Sequence, residues 1–109
     1  MGVPNGSWKI NGNGFTGTLF IEGVDSQGNL LPNSTVYGNP IIGFWDEPSQ
    51  RIMFMRIIAS NDPSTFQIFT GYYMTGQPGV ADALAGSFEA FRGTAASAHR
   101  VAYGWFGSR

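Results

Sequence analysis

The chain has no cysteine and a single histidine among its 109 residues. Without cysteine there is no disulfide framework and no thiolate metal site. With one histidine besides, a transition-metal centre lacks ligands. Charge is scarce too: charged residues make up 12% of the chain and the net charge is −1. Six scattered basic residues cannot form the electrostatic footprint that nucleic-acid binding needs, so no nucleic-acid partner is expected. No apolar run approaches the roughly 18 residues of a transmembrane helix, and no membrane partner is expected. No basic-then-apolar segment opens the chain as a signal peptide does. The lack of cysteine leans towards a reducing, cytoplasmic compartment for a soluble protein, while a removed signal peptide leaves secretion open.

What the chain does have is rings and glycines. Aromatic residues make up 15% of it, and there are 16 glycines. Large rings with many glycines suit short twisted strands and tight turns better than helices. One domain over residues 1–109 is long enough for a single core. The organising stretch is Pro40 to Met74. Pro40–Asp46, Arg51–Ala59 and Thr65–Met74 are apolar runs; Glu47–Gln50 and Ser60–Ser64 break them, the pattern of an antiparallel meander. Before it stand a short strand at Gly6–Ile10, a turn at Asn11–Gly14, a strand at Phe15–Gly23, a turn at Asp25–Asn29 and a short strand at Asn33–Tyr37. After it, Gly76–Gly79 breaks the chain, Ala83–Phe91 reads as strand seven, Gly93–Ser97 as a small-residue loop and Ala98–Phe106 as strand eight. Alanine and leucine leave helix open as the alternative for Val80–Phe91, with a helical turn at Val80–Ala83. Gly17, Gly43, Gly71, Gly86 and Gly104 each fall near mid-strand, where glycine permits the bend that barrel closure demands. The expectation is an all-β, eight-stranded antiparallel up-and-down barrel; a two-sheet sandwich is the alternative, but no long cross-over connection is visible.

Gly6-Ser7-Trp8 on the first strand with Arg100 on the last resembles the calycin signature, and length and short connections bring the chain nearest the avidin and streptavidin family. Ile42-Gly43-Phe44-Trp45-Asp46, Phe69-Thr70-Gly71-Tyr72-Tyr73 and Val101-Ala102-Tyr103-Gly104-Trp105 resemble that family's fourth, sixth and eighth strands. The resemblance implies an avidin-like barrel in which Trp8 plugs one end with Arg100 packed over its ring. It also implies a ligand site, but most of the polar cradle for biotin's ureido group is not matched. Ile10, Gly17 and Phe106 stand at its Asn, Ser and Asp positions, with Tyr37 at the Tyr position; a bulge would be needed to substitute Asn11. Phe69 and Phe88 stand where the family has tryptophans. The expected ligand-binding residues are Tyr37, Gln67, Phe69 and Phe88, with Gly6, Trp8 and Arg100 as structural signature.

Catalytic chemistry finds no support. His99 has no partner that the sequence places beside it. Asp46 and Glu47 are adjacent, so on a strand they point to opposite faces and make a poor acid–base pair. Gly12, Gly14 and Gly17 do not lie between a strand and a helix, as a phosphate loop requires. Asn5-Gly6-Ser7 and Asn33-Ser34-Thr35 match the glycosylation triplet, a pattern common by chance. Arg51 and Arg56 read either as surface side chains with buried stems or as inward arginines holding a carboxylate from another strand.

One feature stands out. Strands five and six are apolar on both faces: Met53, Met55 and Ile57 oppose Ile52, Phe54 and Ile58, and Phe66, Ile68, Tyr72 and Met74 oppose Phe69 and Tyr73. A barrel needs only its inner face apolar, so the outer one suggests a homo-oligomer, dimer or tetramer. The leading expectation is a non-catalytic barrel that binds a small apolar or amphipathic ligand at its mouth. The alternative is a protein-interaction or inhibitor barrel with a packed interior. No cofactor and no metal are expected.

Overall fold

A computed structural model describes residues 2–93 and 96–109. Alternating side chains and glycine-rich turns fold into eight antiparallel strands. They are β1 (Gly6–Gly12), β2 (Phe15–Ile21), β3 (Thr35–Val36), β4 (Asn39–Asp46), β5 (Arg51–Arg56), β6 (Gln67–Met74), β7 (Ala83–Arg92) and β8 (His99–Ser108). Each pairs with the next, and β1 pairs with β8 through Ile10–Gly107 and Gly12–Trp105, closing the barrel. Closure joins the first strand to the last, although β3 pairs only Leu19 and Phe20 of β2 and Asn39 and Pro40 of β4. Among the described residues the one helical element is a 3₁₀ turn at Pro63–Thr65, capped by Asp62, whose carboxylate accepts from Ser64 N–H. No helix among them is long and apolar enough to cross a membrane.

Several boundaries differ from expectation for local reasons. Asn13 and Gly14 both take positive φ, 51° and 91°, so the first hairpin turns on two residues and β1 runs on through Asn11 and Gly12. β3 shrinks to two residues because Tyr37, at φ 50°, leaves the strand. β5 ends at Arg56, not Ala59, and Ile58 is exposed. Val80–Ala83 forms no helical turn; a turn closes just before it, from Val80 N–H to the Gln77 carbonyl at 3.1 Å. The expected loop at Gly93–Ser97 includes Thr94 and Ala95, which lie outside the described residues.

The inner face carries Trp8, Ile10, Leu19, Ile21, Ile41, Trp45, Ile52, Phe54, Phe69, Tyr73, Leu84, Phe88 and Trp105, all buried. Register stacks the rings. Phe54 pairs with Phe69, Phe69 with Phe88 and Phe88 with Tyr103, a belt around four strands at one level. Successive centroids are 4.9, 4.8 and 5.4 Å apart, the range in which ring pairs attract beyond their buried area. Trp105 lies in the next layer, edge-on to Phe54 and Phe69. It fits because Gly71 has no side chain: a Cβ there would stand 2.5 Å from the indole. Gly43 and Gly86 are tight against neighbouring backbone, as strand bending requires, whereas Gly104 meets nothing nearer than 3.9 Å.

Candidate functional site

The barrel is open at one end. A cavity of about 480 Å³ lies where β1 and β7 finish and β2, β6 and β8 begin. Its floor is the ring belt: Phe88 and Tyr103 face the cavity, and Phe69 is buried beside Phe88, stacked on it. One wall is Tyr37. Its positive φ lays the ring across Gly17, where a Cβ would come within 2.2 Å of it. The Tyr37 hydroxyl accepts from Gly12 N–H at 3.1 Å and donates to the Phe15 carbonyl. It is therefore engaged on both sides, and its ring is the surface it presents.

Arg56 closes the opposite side. It shares the inner face with Ile52 and Phe54 by strand alternation, at the level where the barrel opens. Nε donates to Asn39 Oδ1 at 2.9 Å and Nη1 to Gln67 Oε1 at 3.0 Å. The guanidinium carbon lies 4.8 Å from the Tyr37 ring centroid. Burial lowers the Arg56 pKa from its ordinary value, because the charged form loses hydration; Tyr37 opposes that shift. At the rim Arg92 lies over the Tyr103 ring at 5.5 Å and donates to its hydroxyl at 2.8 Å.

Of the residues singled out in the sequence, Tyr37, Gln67 and Phe88 line this cavity, and Phe69 is buried next to Phe88 in the belt. Arg56, read in the sequence as either a surface or an inward arginine, lines the cavity too, whereas Arg92 and Tyr103 were not singled out as site residues. Alternation was the signal available: Arg56 is in phase with Phe54, and Tyr103 with Trp105. The partner of the inward arginine is a pair of carboxamides and a ring, not a carboxylate. Arg51 points outward, 5.9 Å from the Phe44 ring centroid.

The far end is plugged, with one correction. Trp8 points inward, 1% exposed, and its Nε1 donates to the Pro4 carbonyl at 2.9 Å. The cation over its ring is not Arg100 but Arg109, at 4.2 Å. Arg100 is out of phase with Trp105 and begins β8 at the opposite end. It lies outside and donates to the Phe66 and Pro63 carbonyls, pinning the 3₁₀ turn beside the mouth. β8 runs to Ser108, past the expected Phe106, and so carries Arg109 to the plug. Arg109 also donates to the Asn5 carbonyl, Tyr73 Oη and, at 3.4 Å, Asp82 Oδ2. Asp82 accepts from Thr75 Oγ1 at 2.7 Å and Tyr73 Oη at 3.0 Å, and these bonds hold its carboxyl below the usual range.

The positions that stand for the avidin polar cradle are equally plain. Ile10 is buried against the core, Gly17 is covered by Tyr37, and Phe106 faces outward, 58% exposed. Asn11 makes no bulge: β1 and β2 pair without interruption, and its Oδ1 accepts from Gly14 N–H in the turn. Among the described residues no group of His, Cys, Asp and Glu side chains is placed to hold a metal.

No protein-family model matches the chain, and no curated protein sequence does. A solved structure does: a variant of shwanavidin in complex with biotin, superposed with a TM-score of 0.61 over 97% of each chain, at 13% sequence identity. At that identity the likeness is one of fold, and the fold is that of an avidin-like eight-stranded barrel.

Proposed function

We propose that the chain is a non-catalytic binding barrel whose open mouth takes a small amphipathic molecule. The observation that carries this reading is the cavity itself. It has an aromatic floor at Phe88 and Tyr103 and a polar rim at Arg56, Gln67 and Arg92. A few oriented polar groups over an apolar base are what small-molecule sites offer. The barrel below the belt is filled by Trp8, Trp45, Tyr73 and Trp105, so a ligand would sit on the belt and not beneath it. Biotin, present in the shwanavidin complex, fits this chain poorly. A buried polar ligand left without its partners loses orders of magnitude in affinity, and calorimetry should give no nanomolar dissociation constant for biotin.

Ala90 faces the cavity from β7, which provides the test. Uncharged N-phenylnaphthylamine, which fluoresces in apolar surroundings, should bind the protein, and Ala90→Phe should abolish the signal by filling the mouth. Dye binding unaffected by Ala90→Phe, or no binding at all, would remove this reading and leave the packed, protein-interacting barrel.

A second copy of the chain is the partner favoured by the outer face. Ile42 is 60% exposed there and Phe44 37%. With Met53, Met55 and Ile68 they border a groove of about 520 Å³. Raised side chains beside a groove can meet themselves across a two-fold axis, so a dimer or tetramer through β4–β6 is part of this reading.

A further inference from the structure

Both ends of the barrel hold an arginine over an aromatic ring, but their charge is balanced differently. At the plug, Arg109 over Trp8 has the Asp82 carboxylate at 3.4 Å. At the mouth, Arg56 over Tyr37 has the oxygens of Asn39 and Gln67, both uncharged. Its Nη2 donates to no described residue. With Oε1 turned to Arg56, Gln67 also keeps its amide N–H₂ as a donor. Arg92 adds a second positive charge at the rim. No carboxylate lines the cavity among the described residues. The chain as a whole is slightly acidic, at −1, so this positive mouth runs against its own average.

Charged side chains withdrawn from water are ordinarily paired. A half-buried guanidinium with free donors, facing a concave, partly apolar space, concentrates potential there and favours an anion. Guanidinium donors match two oxygens at once, which an oxyanion supplies and a hydroxyl does not. The belt below is apolar, and the two rings that face the cavity, Phe88 and Tyr103, have centroids 5.4 Å apart.

We infer that the mouth selects small amphipathic anions: an apolar body lies on Phe88 and Tyr103, and one oxyanion, carboxylate or sulfonate, is seated on Arg56 with Arg92 at the rim. This rests on the reading of the mouth as a ligand site.

Two dyes of similar shape separate the two claims. Anilinonaphthalene sulfonate carries one negative charge, and N-phenylnaphthylamine carries none. The chain should bind the sulfonate at least tenfold more tightly than the neutral dye, a typical effect for bonds to a charged group. Arg56→Gln should remove most of that preference, read as the ratio of the two dye affinities within the same variant. Arg56→Lys should keep part of it, because the charge stays and the fork is lost. Added salt should weaken the sulfonate alone. Arg51→Gln, on the outer face, should change neither dye. Equal affinity for both dyes, or a sulfonate preference that survives Arg56→Gln combined with Arg92→Gln, overturns the anion site and leaves the ligand site standing. Binding of both dyes that ignores Ala90→Phe overturns both.

Discussion

Replacing Gly17 with alanine tests whether Tyr37 forms the mouth as described. The added Cβ would lie 2.2 Å from Cδ1 and 2.3 Å from Cε1 of Tyr37. Those atoms belong to the body of a ring tethered at both ends, so the ring must swing away. Swinging it breaks the bonds to Gly12 N–H and the Phe15 carbonyl and withdraws it from Arg56. Overpacking of this kind costs about 1–3 kcal/mol, and each hydrogen bond adds about 0.5–1.5 kcal/mol. Alanine recovers about 0.5–1 kcal/mol over glycine in a strand. The net expectation is a loss of about 2–4 kcal/mol. Tyr37→Ala alone should also destabilise, by lost packing and hydrogen bonds. In the double variant the new methyl meets no ring, so it should be no less stable than Tyr37→Ala. The double-mutant cycle, measured by urea unfolding at one protein concentration, should show a coupling of about 2 kcal/mol or more. Costs that add to within about 0.5 kcal/mol, or a Gly17→Ala protein more stable than the parent, would refute the contact.

Trp8→Ala should cost about 3–5 kcal/mol, as for other buried aromatics; a loss below about 1 kcal/mol would deny its role as plug. Arg109→Ala should cost about 1–2 kcal/mol and more than Arg100→Ala, whose effect should be faster amide exchange at the Pro63–Phe66 turn; the reverse order would restore Arg100 to the plug. Asp82 has a lowered pKa in the folded chain, so its contribution is present above the unfolded value, 3.8, and is lost as pH falls through the lower folded one. Asp82→Asn should therefore flatten the acid limb of stability against pH; identical limbs in parent and variant would count against it. Sedimentation at high micromolar concentration should show a dimer or tetramer that Ile42→Lys dissociates, and a monomeric parent would end the assembly reading.

Much of the fold was legible because strand alternation and turn chemistry are local. Gly17, Leu19 and Ile21 declare one face of β2 wherever that strand is placed, and Asn13-Gly14 declares a hairpin. Closure was legible too, since so apolar a set of strands could not leave edges open. Strand ends were not. Gly107 and Ser108 carry no apolar signal, yet β8 continues through them because β1 supplies partners at Ile10 and Lys9. That pairing joins opposite ends of the sequence, and it decides which arginine reaches Trp8. The signature motif placed the tryptophan and misassigned its cation for that reason.

The site was harder to see because it depends on register and on one unusual dihedral angle. Phe54, Phe69, Phe88 and Tyr103 form a belt only once three strand pairings are fixed. Nothing local to Tyr37 announces positive φ, and with ordinary strand geometry its ring would not have lain across Gly17. Read in isolation, that glycine looks like a bend; in the barrel it is the vacancy the ring fills. Arg56 shows the same dependence. Within Arg51–Ile58 it reads as a charge beside an apolar run, and alternation alone turns it inward. What makes it chemically distinctive is what stands opposite: Asn39 and Gln67 satisfy two of its donors without neutralising it. An acidic residue at either position would have built a second plug like that of Arg109 and Asp82. A carboxamide there holds the guanidinium in place and leaves its charge to whatever enters the mouth.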